Sequence, residues 1–410
     1  MLRGGLTSAP GQGKEAPRAG RSTLPFDQSS ARAVPDFNGR LLAPDEMSLK
    51  ELEAVRLLLR GGSVIDWSRL AFRTRAEVDS FLKLHLIDTN DPSDRAFANR
   101  ILKEAVDYLR SQFHYRVADA AAEPFEIQDL FLYASGQHPK FPRRYQKIAC
   151  IVLKVMHVIH HLEGRELFFR TPIASSVLHR LVDDRVMACA ARLTRPDSPV
   201  LEFSGSVKPH HSIITKLLAK RETVAAQIFD RVRYRIVTRE KSDIMPVLEY
   251  LLRTLFPFNL VIPAQSENTL VDFQTLVEDV PSLHPYIPQL HLPLPQEALE
   301  RGRKRRTSNP FSSTSYRVLN FVVDVPVRID PYLGQDDPRS SRPRIVFSSV
   351  EFQVVDSATA SENERGDSSH ELYKARQKAK VLRRLSKGLL VPKGHVRALG
   401  RKNDEEPREG

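Results

Sequence analysis

Between Gly205 and Val237 the chain reads GSVKPHHSIITKLLAKRETVAAQIFDRVRYRIV, a segment dense in side chains that handle phosphate. Lys208 stands in a turn that leads through Ser212 into a basic helix, which carries Lys216 and ends near Arg221. A second turn brings an acid, Asp230, to the mouth of a strand bearing Arg231, Arg233 and Arg235. One acid set among cations at a strand start suits metal-assisted phosphate chemistry: the acid holds a divalent cation and the cations hold phosphate oxygens. In a regular strand Asp230 and Arg235 point to opposite faces, so Asp230 must sit at the strand's edge or a bulge must intervene.

Two later strands carry further candidates. From Tyr316, the residues Arg317, Leu319, Phe321, Val323 and Val325 share one largely apolar face. Tyr316, Val318, Asn320 and Val322 share the other, which sets an aromatic and an amide where they can stack on and hydrogen-bond a base. From Arg344, the apolar face is Val346, Val350, Phe352 and Val354, and Ser349, Glu351 and Gln353 oppose it. An acid midway along a sheet strand is costly to bury unpaired, so Glu351 requires a cation, either an arginine or a metal ion.

The elements that must position these groups form two regions. Residues 47 to 195 read as mostly helical. Ser48 and Glu51 make a capping box, Leu52, Val55, Leu58 and Leu59 recur at helical spacing, and Gly61-Gly62 stops that helix. Further apolar periods near 3.6 cover 76–86, 96–113, 142–162 and 173–193. From about residue 200 strands alternate with helices: a strand over 229–238, a helix capped by Ser242, a strand over 259–262, and the two strands from 316 and 344. Residues 264–314 are Pro-rich and read as an irregular insertion, 357–370 as a polar break, and 371–390 as a basic helix. Residues 1–44 and the C-terminal tail read as disordered.

At 410 residues and 41% apolar content the chain can bury a real core, with room for about two to three domains. A net charge of +12 favours an anionic partner, nucleotide or nucleic acid, with basic runs at 140–147, 301–306 and 374–402 as further contributors. Cys150 and Cys189 have no metal or redox spacing, which suits a reducing compartment and excludes a disulfide scaffold. No membrane partner is expected, because the most apolar run, 148–162, contains Lys154, His157, His160 and His161. Those histidines, at i, i+3 and i+4, lack a carboxylate in a known metal pattern and read as structural or surface residues. A cytoplasmic protein is expected.

Four blocks resemble the synthetase domain of the RelA/SpoT alarmone synthetases, in that family's order. They are Gly205 to Val237, with Lys208, Ser212, Ile213, Lys216, Ile228, Asp230, Arg235 and Ile236 in matching places; Tyr316-Arg317-Val318-Leu319-Asn320; Val350-Glu351-Phe352-Gln353-Val354; and His370-Glu371-Leu372-Tyr373-Lys374. The resemblance covers residues 200 to 375. It implies a nucleotidyltransferase-like mixed sheet flanked by helices, and transfer of pyrophosphate from ATP to the 3′-hydroxyl of GDP or GTP. By the same resemblance Asp230 binds Mg²⁺, and Glu351 completes the metal site or acts as base. Tyr316 stacks on the acceptor base, and Asn320 and Gln353 also bind substrate. Lys208, Ser212, Lys216 and Arg235 line the substrate, the cations on its phosphates. The chain departs from the family at Ser206, where the family has arginine, and at Asn320, where it has histidine. Asp230 and Glu351 also stand 121 residues apart, farther than in the family.

The expected architecture is therefore α+β. A disordered leader (1–44) precedes a helical region (45–197), a RelA/SpoT-like nucleotidyltransferase domain (198–356, with the 264–314 insertion) and a basic helix with its tail (357–410). Two functions remain open: a Mg²⁺-dependent pyrophosphotransferase acting on a guanosine nucleotide or an RNA end, or a catalytically degenerate nucleotide- or RNA-binding regulator of the same fold.

Overall fold

The computed structural model describes residues 39–61, 70–137, 145–219, 231–263, 265–290, 316–332, 345–365 and 370–385. Helices α1 (Leu49–Arg60), α2 (Arg75–Leu84), α3 (Pro92–Phe113), α4 (Asp119–Ala122), α5 (Ile127–Ala134), α6 (Gln146–Arg170) and α7 (Ser175–Leu193) come first. Then follow β1 (Val200–Val207), α8 (His210–Ala219), β2 (Val232–Thr238), α9 (Ile244–Thr254), β3 (Glu267–Asn268), α10 (Phe273–Glu278), β4 (Leu319–Arg328), β5 (Ile345–Asp356), α11 (Ser357–Glu364) and α12 (His370–Leu385). The class is α+β, as the patterning predicts.

Local chemistry accounts for the boundaries. The Ser48 backbone N–H donates to Glu51 at 2.9 Å, and Gly61 closes α1 in the left-handed conformation at φ 62°. Asp91 caps α3, accepting from the N–H groups of Ser93 and Asp94, with Pro92 at the first helical position. Among the described residues no helix is long and apolar enough to cross a membrane.

The five strands form one mixed sheet in the order β1-β2-β5-β4-β3. Only β2 and β5 run parallel; the other neighbours are antiparallel. Tyr234, Ile236, Val350, Phe352, Val354, Phe321, Val323 and Val325 share one core with the apolar stripes of α1, α7 and α9. Phe352 stacks between Tyr234 (5.7 Å) and Phe321 (5.5 Å). A second core joins α2 to α6. It meets the opposite sheet face through α6, where Phe347 of β5 stacks on His161 at 4.4 Å. Gly164 permits that approach: a Cβ there would lie 2.5 Å from the Phe347 ring.

Several expected boundaries move. The strand expected over 259–262 is a 3₁₀ turn, Phe258–Leu260, followed by a single bridge from Val261 to Val323. Pro257 and Pro263 leave too few N–H groups there for a ladder. The described part of the 264–314 insertion, residues 265–290, is structured: it supplies β3 and α10, and buries Leu283 and Leu290 in the first core. The polar break holds α11, capped by Asp356, which accepts from the Thr359 N–H at 3.0 Å. Strand β1 was not expected; it pairs with β2 at the sheet edge. The leader, the C-terminal end beyond 385, the basic runs at 140–147 and 301–306, and Asp230 all lie wholly or largely outside the described residues.

Candidate functional site

The three middle strands carry polar side chains to the face opposite the first core. Cross-strand partners share a face, and the register aligns two rows. One runs Ser206, Arg233, Glu351, Val322; the other runs Ser204, Arg235, Gln353, Asn320, Glu267. Toward the start of β5 this face is closed by α6. There His161 Nε2 donates to Asp324 at 2.6 Å, and the Ser349 hydroxyl donates to the other carboxylate oxygen at 2.5 Å.

Glu351 has the cation that its burial demands. Arg233 Nε donates to its carboxylate at 2.6 Å. The neighbouring row is organised around Gln353, whose Nε2 donates to the Tyr316 hydroxyl at 2.8 Å. Arg235 reaches Glu364 of α11 at 3.3 Å. Asn363, one residue before it, accepts from the Arg317 N–H at 3.1 Å and donates to the Arg317 carbonyl at 2.6 Å. These two bonds strap the end of α11 to the segment that presents Tyr316. Burial pushes the Tyr316 phenol above its ordinary range, while Arg233 and Arg235 pull it the other way. Two buried atoms in this row, Arg235 Nε and Asn320 Oδ1, find no hydrogen-bond partner among the described residues. One is a donor and the other an acceptor, so a ligand edge offering the reverse pair would satisfy both.

The expected residues divide into three sets. Tyr316, Asn320, Gln353, Arg235 and Glu351 come together on this face. Lys208, Ser212 and Lys216 lie on the segment leaving edge strand β1. Lys208 donates its backbone N–H to the Arg231 carbonyl at 2.8 Å, beside β2, and Ser212 and Lys216 sit half-buried on α8. Asp230 falls outside the described residues, one position before Arg231.

Glu351 is the only one of the two expected metal ligands in view, and its carboxylate is ion-paired. No group of three His, Cys, Asp or Glu residues that could hold a metal ion occurs among the described residues. These residues therefore do not by themselves fit Mg²⁺.

Sequence reasoning named Arg233 only among the strand's cations and did not single out Asn363 or Glu364. Arg233 shares strand parity with Arg235 and so was placed with it, but its pairing with Glu351 depends on the β2–β5 register. Parity within one strand does not reveal that register.

No protein-family model and no curated protein matches the chain. Among solved structures, the chain is similar to small alarmone synthetase 2 from Bacillus subtilis, at 18% identity over 52% of this chain and 94% of that one, with a TM-score of 0.27. It is similar to small alarmone synthetase 1 from Bacillus subtilis bound to its product pppGpp, at 16% identity over 53% and 91%, with a TM-score of 0.26. It is also similar to a GTP pyrophosphokinase family protein from Streptococcus pneumoniae, at 16% identity over 52% and 83%, with a TM-score of 0.26.

Proposed function

We propose that the polar sheet face binds a purine nucleotide, with its base against Tyr316 and its phosphates toward Arg233 and Arg235. One observation carries this reading. Residues far apart in sequence, from Arg233 to Gln353, converge on one face as an aromatic ring, two amides and two guanidiniums. Tyr316 offers a π-face with its hydroxyl anchored by Gln353, and the unsatisfied donor and acceptor of Arg235 and Asn320 suit a heterocycle edge. The partners are ATP and a guanosine nucleotide.

Equilibrium titration with fluorescent GDP, GTP and ATP tests the proposal. Binding is expected to weaken by about tenfold or more in Tyr316→Ala, since base–aromatic stacking contributes about 1–3 kcal/mol. Equal binding by wild type and this variant would remove the base from Tyr316.

A second reading, pyrophosphate transfer, is favoured by the four blocks standing in the order of the family they resemble. In that reaction the acceptor 3′-oxygen forms a bond to the β-phosphorus of ATP. The bond from that phosphorus to the α–β bridging oxygen breaks, AMP leaves, and the hydroxyl proton passes to a base. Arg233 and Arg235 orient the phosphates and offset their charge, and Tyr316 holds the acceptor base. The acceptor is a guanosine nucleotide or the 3′ end of an RNA. Incubation with γ-labelled ATP and, in turn, GDP, GTP and bulk tRNA, with Mg²⁺ or with EDTA, separates the two readings. Label transfer that is lost in Asp230→Ala and Glu351→Ala supports the enzyme; intact nucleotide binding without transfer to any acceptor supports the binding protein.

A further inference from the structure

We propose that Arg233 stands in for a divalent cation at Glu351, so that this face receives phosphate on a guanidinium fixed by the sheet and not on a metal ion held by the protein. The inference deepens the nucleotide reading above and rests on its placing phosphate at this face.

Among the described residues, three carboxylates on or beside this face are already committed. Glu351 is held by Arg233, Asp324 by His161 and Ser349, and Glu364 by Arg235. The first of these pairs is set by the fold, not by flexible reach. Arg233 and Glu351 are register partners on adjacent parallel strands, so main-chain hydrogen bonding sets them opposite one another. Magnesium and calcium ions require several oxygen ligands at about 2.0–2.6 Å. To serve such an ion, Glu351 would have to give up a 2.6 Å charge-assisted bond. The metal would then sit beside a guanidinium that cannot lose its proton, so titration cannot relieve the repulsion.

Exposure points the same way. The Arg233 side chain is 29% exposed and that of Glu351 only 11%. A group arriving from solvent therefore meets the cation first. Beside it on the same face of β2, Arg235 adds a second guanidinium. Inorganic pyrophosphate is the smallest probe of this arrangement.

The test uses the full chain in two titrations. Mn²⁺ is followed by the paramagnetic resonance of the free ion, and pyrophosphate by calorimetry in EDTA. Wild type is expected to show no Mn²⁺ site that Glu351→Gln or Asp230→Asn abolishes. It is expected to bind pyrophosphate in EDTA with an affinity that Mg²⁺ changes by less than about twofold, and Arg233→Ala is expected to lose about tenfold. Should the single variant fail to fold, Arg233→Gln with Glu351→Gln leaves no unpaired buried charge and must show the same loss of pyrophosphate. The proposal is overturned by a wild-type Mn²⁺ site that depends on Glu351, by pyrophosphate binding only after a divalent ion is added, or by no pyrophosphate binding at all. If pyrophosphate binds in EDTA while GDP, GTP and ATP do not, the nucleotide reading fails and this one stands.

Discussion

A carboxylate inside a sheet is tolerated when it is protonated, when it holds a metal ion, or when a cation pairs with it. Glu351 takes the third course, and the need for a partner was legible from strand parity alone. Which partner was not, because Arg233 and Glu351 lie 118 residues apart. Only the register of two parallel strands brings them together. Removing one member of such a pair strands the other. Arg233→Ala is expected to cost about 2–3 kcal/mol, below the range for fully buried pairs because solvent screens the exposed guanidinium. Glu351→Gln added to it should recover part of that loss, and urea unfolding of the single and double variants measures both. Strand parity puts Tyr316 and Gln353 each off the apolar face of its own strand, without pairing them. Their mutual hydrogen bond and the strap from Asn363 depend on α11, which the sequence reading treated as a break.

Helix α11 shows what periodicity misses. Its sequence, SATASENE, has no apolar stripe and buries no side chain. The signal that was available is the cap: Asp356 lies three residues before Thr359 and bonds both its N–H and its hydroxyl. Asp356→Ala is expected to cost about 1 kcal/mol of stability, the usual worth of an N-cap. It should also weaken nucleotide binding, because α11 carries both Asn363 and Glu364. Thermal unfolding and the fluorescent-nucleotide titration read the two effects separately. Strand β1 was missed for a related reason. As an edge strand it exposes most of its length, so hydrophobic alternation does not mark it. Its Gly205 nonetheless lies under Tyr234, where a Cβ would come 2.8 Å from the ring. Gly205→Ala is expected to destabilise by about 1–3 kcal/mol in urea, as overpacking does.

At the scale of the whole molecule, the two cores meet at a group of buried histidines. Asn259 donates to His85 and to His157 at 3.0 Å each, and His160 packs between Phe97 (5.4 Å) and Phe347 (5.2 Å). Burial pushes His85 down to about 4 and His160 down to about 3, with the charges of His161 and of nearby arginines acting in the same direction; burial lowers His157 as well. The folded state thus resists protons that the unfolded chain accepts from about pH 6.5 downward. Stability from this group is fully present above that value and is lost as the pH falls toward 4, by up to about 1.4 kcal/mol per pH unit for each histidine. Urea midpoints between pH 7 and pH 4 should fall accordingly, and His160→Gln should flatten the slope. Which partners satisfy these residues depends on packing against β4, β5 and the turn at Asn259, which no pattern within 47–195 contains.

The sheet order has a consequence for synthesis. Strand β5 lies between β2 and β4 yet is the last of the five to leave the ribosome. Until residues 345–356 emerge, β2 and β4 each carry an open edge facing a missing neighbour, and neither row of the polar face exists. The nascent chain can build its helical core early but must hold its sheet in two unjoined halves, which are prone to pairing with other chains. Closing that gap depends on contacts remote in sequence, which slows folding. Emergence of residues 345–356, not of the first strands, therefore sets when the two polar rows can assemble.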